Sequence, residues 1–237
     1  MIADLETRSI LETFAEHGCL AIPQPPAVTR VLSEAYQAWG AFFGSDSKFA
    51  VPGNKNRPSG YLPFCEASGC EMKESFYLQL GMSLPIATKA STRPVIEALQ
   101  QVAFEVATAL RAETGEIWVN NPRRACLRVL RYPALENDPE SPLMQTLAAD
   151  GAMRTPPHQD LNALTLQPFP TAPGLEVRMS SGEWRPVDQE PGYIIVHAGQ
   201  ELEARSRGRI RATLHRVRNP RDEERARTRL AMALFVS

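Results

Sequence analysis

The sequence predicts an α+β fold that is mainly β: a double-stranded β-helix, or jelly roll, with N-terminal helices packed against it. Up to about residue 120 the apolar residues recur at helical spacing; from Ala125 they alternate or fall in short runs divided by Gly and Pro. Many short strands punctuated in this way are what a closed or double-sheet β architecture needs. No internal repeat, low-complexity tract or long linker divides the 237 residues. One domain, 1–237, is therefore expected, with a helical layer over 1–120 and a jelly-roll core over 121–237.

The elements follow in order. Residues Asp4 to His17 read as a first helix, with Ile10, Leu11, Phe14 and Ala15 on one side and Gly18 as the stop. Cys19 to Ile22 reads as a short buried strand. Pro25-Pro26 opens the clearest helix, because Val28, Val31, Leu32, Ala35, Tyr36, Trp39, Phe42 and Phe43 recur at helical spacing up to Gly44. Ser45 to Gly60 is polar and broken by Pro52, Gly53 and Pro58, which assigns a loop. A third helix is expected from Arg93 to Thr114, burying Val95, Leu99, Val102, Val106 and Leu110 and ending at Gly115. From Ala125 to Tyr132 the period becomes two, setting Leu127, Val129 and Arg131 against Arg128, Leu130 and Tyr132.

Composition excludes several function classes. A formal net charge of -1 argues against a wholesale nucleic-acid or membrane-surface binder. A small-molecule substrate is the expected partner, with neither nucleic acid nor membrane. The four cysteines show neither Cys-x-x-Cys spacing nor disulfide-scaffold density, so they read as reduced. Asp4 and Glu6 stand where a signal peptide would carry positive charge, and a cytoplasmic protein is expected.

The chemistry is concentrated at Pro156-Pro157-His158-Gln159-Asp160 and His215. On an extended segment residues two apart share a face, so His158 and Asp160 can grip one metal ion. His215, in a second β-like run 55 residues after Asp160, supplies a third ligand. Two imidazoles and one carboxylate leave coordination positions open, the arrangement associated with non-haem Fe(II) oxygen activation.

The surroundings extend the pattern. After His158 to Leu166 come Gly174-Leu175-Glu176-Val177, Gly182-Glu183-Trp184, Pro191 to Val196, Gly199-Gln200, Gly208-Arg209, Leu214 to Val217 and Arg229. That series, from Leu127 to Val236, resembles the catalytic half of the isopenicillin N synthase-like family of 2-oxoglutarate/Fe(II)-dependent oxygenases. The resemblance implies Fe(II) held by His158, Asp160 and His215, 2-oxoglutarate as cosubstrate and O2 as oxidant. Succinate and CO2 would be co-products of hydroxylation, desaturation or cyclisation at a substrate C–H bond.

Arg229 stands where relatives hold the distal carboxylate of 2-oxoglutarate, a task its planar fork performs better than a lysine. Ala231 replaces the serine of the usual Arg-x-Ser pattern, and Arg227 is an alternative binder. Tyr132-Pro133 resembles the family's Tyr-Pro element, which implies that the tyrosine reaches the cosubstrate or substrate carboxylate. His197 stands where relatives usually have Asn and reads as a polar residue satisfied near the core. Gly60-Tyr61 and Lys73 to Phe76 resemble elements that border the substrate pocket; Tyr61, Arg57, Arg128 and Arg211 are the substrate-site candidates, and the three cations imply a small anionic metabolite. Two further readings stay open at this point. One is an Fe(II)/O2 oxidase without 2-oxoglutarate, as isopenicillin N synthase itself is. The other is a non-catalytic metal-binding ligand sensor.

Overall fold

The structure, a computed structural model, describes residues 7–53, 59–63, 72–79, 81, 83–115, 125–135, 153–187 and 191–237. Arg57, Cys65, Cys70 and most of the 66–73 loop lie outside the described residues. Among the described residues no helix is long and apolar enough to cross a membrane.

The N-terminal layer begins with α1 (Thr7–His17), which buries Ile10 and Phe14. Gly18, at φ 69, ends it in the left-handed region and turns the chain into β1 (Cys19–Pro23). α2 (Pro26–Phe43) starts on Pro25-Pro26 as the sequence predicts and buries Val28, Leu32, Ala35, Tyr36, Trp39, Phe42 and Phe43. Trp39 is fully buried, with ring centroids 5.3 Å from Phe42 and 5.2 Å from Phe76. Each such aromatic or aliphatic side chain contributes about 1.5–3 kcal/mol on burial. The expected loop after α2 contains a 3-10 turn, Asp46–Ala50.

α3 departs from expectation. It runs Ile86–Ala109, opening on Pro85 and continuing through Pro94, with a separate turn, α4 (Arg111–Thr114), before the left-handed stop at Gly115. Pro94 reads as a helix start in sequence because proline suits the first turn and breaks an interior hydrogen bond. Tertiary packing overrides it: Thr88 and Thr92 are buried, and Thr92 Oγ1 accepts the Trp39 indole N–H at 2.9 Å.

Two antiparallel sheets form the β core. β2 (Gly60–Leu62), β3 (Glu74–Gln79) and β4 (Ala125–Tyr132) make one side of the larger sheet. β6 (Leu164–Pro168), β9 (Tyr193–Ala198) and β11 (Arg229–Val236) complete it with β1, in the order β1-β9-β6-β11-β4-β3-β2. The smaller sheet is β5-β10-β7-β8, built from β5 (Thr155–His158), β7 (Leu175–Arg178), β8 (Trp184–Pro186) and β10 (His215–Val217). A short helix, α5 (Gln200–Arg205), follows β9.

The larger sheet has two distinct faces, set by the alternation along each strand. Val129, Leu127, Met232 and Leu234 pack with Trp39, Phe43 and α3 in the main core under the helices. Leu130, Tyr132, Ala231 and Ala233 point the other way and cluster with Val217 of the smaller sheet. That inner face carries the candidate site.

Candidate metal centre

His158 ends β5 and His215 opens β10; the two residues oppose one another in the strand pairing, with ring centroids 4.2 Å apart. The pairing slips between His215 and Val217, so that Thr155 and His158 of β5 both face partners across it. Asp160 follows β5. Its Oδ1 lies 3.7 Å from His158 Nε2 and its Oδ2 3.8 Å from His215 Nε2. The three ligand atoms all lie within 4.8 Å of one another.

Backbone carbonyls set the tautomers. His158 Nδ1 lies 2.9 Å from Pro156 O and His215 Nδ1 3.1 Å from Thr213 O. A carbonyl only accepts, so Nδ1 carries the proton in both rings and Nε2 turns its lone pair towards Asp160. Burial holds His215 below the ordinary imidazole range, against the pull of Asp160, which keeps it neutral and able to ligate. At Asp160 burial opposes ionisation, but His197, His215 and the Thr165 hydroxyl outweigh it, and the carboxyl is held below its usual range. Thr165 donates to Asp160 Oδ2 at 2.6 Å.

The loop carrying Asp160 is pinned from behind. Gln200 N donates to Asp160 O at 2.8 Å and Gly199 N to Ala163 O at 2.9 Å. A Cβ at Gly199 would lie 1.9 Å from Asn162 O, so only glycine permits this backbone approach.

On the same inner face Arg229, first residue of β11, pairs with Tyr132 of β4, and each is 2% exposed. The Arg229 guanidinium carbon lies 5.1 Å from the Tyr132 ring centroid. Two more cations approach that ring: Lys73 Nζ at 5.6 Å and the Arg154 guanidinium carbon at 5.7 Å. The Thr155 hydroxyl ties the group together, accepting from Lys73 Nζ at 2.9 Å and lying 3.2 Å from the Tyr132 hydroxyl.

Residues 124–237 match the 2OG-Fe(II) oxygenase superfamily. That match takes in His158, Asp160, His215 and Arg229. A 73-residue stretch is 44% identical to gibberellin 20 oxidase 2 of Oryza sativa, covering 30% of this chain and only 18% of that relative's length. The chain's fold is similar to that of a Shewanella oneidensis protein assigned as an oxygenase, with a TM-score of 0.80 and 26% identity over 97% of this chain and 85% of the other. It is similar also to full-length Neurospora crassa T7H in complex with alpha-KG, at a TM-score of 0.81 and 20% identity over 98% and 78%.

The superfamily takes Fe(II), 2-oxoglutarate and O2. The donor set fits the metal: ligands about 2.1 Å from an ion sit roughly 3–4 Å apart, and the two His–Asp separations fall in that span. Neutral imidazoles and one ionised carboxylate are also the protonation states a divalent ion requires. A buried arginine on the same face fits the distal carboxylate of the superfamily's cosubstrate.

The structure sorts the other expected residues by face. Arg227 is exposed in the turn before β11, whereas Arg229 is buried on the inner face. Arg128 shares the inner face; its guanidinium stacks on Tyr77 at 4.7 Å and donates to Ser75 Oγ at 3.2 Å. Tyr61 does not belong to the site. It pairs with Phe76, so it lies on the helical face, and its hydroxyl donates to Glu74 at 2.6 Å. Arg211 is exposed and lines a surface cavity with Phe14, Gly18 and Arg178, which holds none of the three metal-site residues.

His197 also corrects its expectation. It is buried beside the metal centre, its Nε2 3.6 Å from Asp160 Oδ2 and 3.3 Å from the Gln167 amide nitrogen. Its Nδ1 finds no hydrogen-bond partner among the described residues, so the ring is not the satisfied core histidine the sequence suggests. Burial, reinforced by His215, pushes its pKa down to about 3 and holds it neutral. Lys73, Arg154 and Thr165 were not singled out from sequence, because each reaches the site from a different segment. Lys73 carries a signal through the Lys73 to Phe76 element and Thr165 through the run from His158 to Leu166, whereas Arg154 carries none.

Proposed function

We propose that the chain is a non-haem Fe(II), 2-oxoglutarate-dependent oxygenase that oxidises a C–H bond of a small anionic metabolite. The observation that carries this is the convergence of His158, Asp160 and His215 on the inner face that also buries Arg229. His158 Nε2, Asp160 and His215 Nε2 would hold the metal. With 2-oxoglutarate bound there as well, Fe(II) would supply the oxidising power for O2 to oxidise a substrate C–H bond, with succinate and CO2 as co-products.

The chain's own part is binding, orientation and exclusion of water. Arg229 binds the distal carboxylate of the cosubstrate through its planar fork. Tyr132 keeps that fork in place by stacking; Ala231 and Ala233 on the same face and Val217 on the opposing smaller sheet supply apolar surface. Thr165 orients Asp160, and the carbonyls of Pro156 and Thr213 orient the two imidazoles. Arg128, on the same face, is a described cation for an anionic substrate group.

The test is succinate formation coupled to O2 uptake, with anaerobic titration of the Fe(II) protein by 2-oxoglutarate, following the metal-to-ligand charge-transfer band. Arg229→Ala is expected to weaken 2-oxoglutarate binding by roughly two to three decades, and Arg229→Lys to recover part of the loss. Alanine at His158, Asp160 or His215 is expected to remove metal binding while leaving the circular dichroism intact. Full metal affinity in all three variants would sink the site. O2 uptake without succinate would favour an oxidase in which Arg229 binds a substrate carboxylate.

A further inference from the structure

Three buried cations, Lys73, Arg154 and Arg229, lie against the Tyr132 ring. Arg154 and Arg229 are each 2% exposed and Lys73 5%. Burying like charges together is costly unless an anion joins them. Glu224, the described carboxylate whose charge acts on Arg154, is already engaged. Both its oxygens accept from Arg218, at 2.6 and 2.8 Å, and Oε2 also accepts the Arg221 N–H at 2.8 Å.

Arg154 is the least accounted for. One Nη donates to Pro133 O at 2.6 Å, which fixes the guanidinium over the Tyr132 ring. Its Nε is buried with no hydrogen-bond partner among the described residues. Burial, and then the Arg229 charge, pull its pKa down to about 10, so the two guanidinia are close enough to repel. Ala231, on the same strand face as Arg229, offers no polar side-chain atom. A second donor to any carboxylate bound there has to come from elsewhere.

We propose that Arg154 is a second carboxylate-binding residue, acting with Arg229 beside the Tyr132 ring on the distal carboxylate of 2-oxoglutarate. The proposal rests on the 2-oxoglutarate reading above. Two guanidinia meeting one carboxylate relieve their mutual repulsion and select a 2-oxo acid with a charged far end over one without.

The experiment compares 2-oxoglutarate with 2-oxobutyrate, which has the same chelating end and no distal carboxylate. Both are titrated anaerobically into the Fe(II) protein and, by calorimetry, into the Mn(II) protein. Arg154→Met is expected to weaken 2-oxoglutarate binding about ten- to a hundredfold and to leave 2-oxobutyrate unchanged, with Arg154→Lys intermediate. If Arg154→Met binds 2-oxoglutarate like the wild type while Arg229→Ala does not, Arg154 has no such role and the cosubstrate reading stands. Equal losses for both acids would make Arg154 a prop for the Pro133 turn and overturn the proposal. A wild-type protein that binds neither acid would overturn the cosubstrate reading itself.

Discussion

Thr165 of β6 donates its hydroxyl at 2.6 Å to Oδ2 of Asp160, in the loop that leads into that strand. The contact fixes one carboxylate oxygen and leaves Oδ1 towards His158. Thr165→Val keeps the shape and removes the donor. Metal affinity should fall about tenfold, as for other residues that orient a ligand. Competition against a chelator of known affinity reads this; an unchanged constant would mean that Asp160 is held by its loop alone.

Gly199 faces the backbone of that loop so closely that a methyl group would lie 1.9 Å from Asn162 O and 2.9 Å from Asp160 O. Gly199→Ala must therefore push the Asp160 loop away from β9. The expected result is a loss of metal affinity larger than that of Thr165→Val, together with a lower melting temperature. Wild-type values for both would show that the loop relaxes without cost.

Trp39 and Thr92 make a buried hydrogen bond that links α2 to the early turns of α3. Thr92→Val leaves the indole N–H without its acceptor, at a cost of about 1–3 kcal/mol. Urea denaturation should show a lower midpoint with the same slope. An unchanged midpoint would mean that the indole finds another acceptor.

The Arg218 hydrogen bonds hold the Glu224 pKa at about 2, against an ordinary 4.5. A lowered folded-state value means that the pair stabilises the fold above pH 4.5 and loses this effect as pH falls towards 2. Glu224→Gln should melt below the wild type at pH 7, and the gap should close over that acidic range. A gap independent of pH would assign the loss to packing.

Legibility in the sequence tracked how local each signal is. α2 and β4 were readable because the spacing of Val28 to Phe43 and the alternation of Ala125 to Tyr132 state their own periods. The start of α3 was not, since Pro94 looks like a boundary until Trp39 is seen reaching Thr92. His158, Asp160 and His215 carry their chemistry in residue type and spacing. Tyr61 does not: which face it takes is decided by its pairing with Phe76, and a shift of one residue would reverse it. Arg154 is equally opaque, because the pairing slip in β5 breaks the alternation that would relate it to His158.

β11 follows every strand it joins, yet it lies in the interior of the larger sheet, between β6 and β4. During synthesis the β4-β3-β2 half and the β1-β9-β6 half therefore wait, each with an open edge, until residues 229–236 have emerged to bridge them. Long-range pairing of this kind is slow and leaves unpaired edges exposed in the meantime. The strand that bridges the two halves also delivers Arg229 to Tyr132, so this buried pair and the joined sheet come into being in one step.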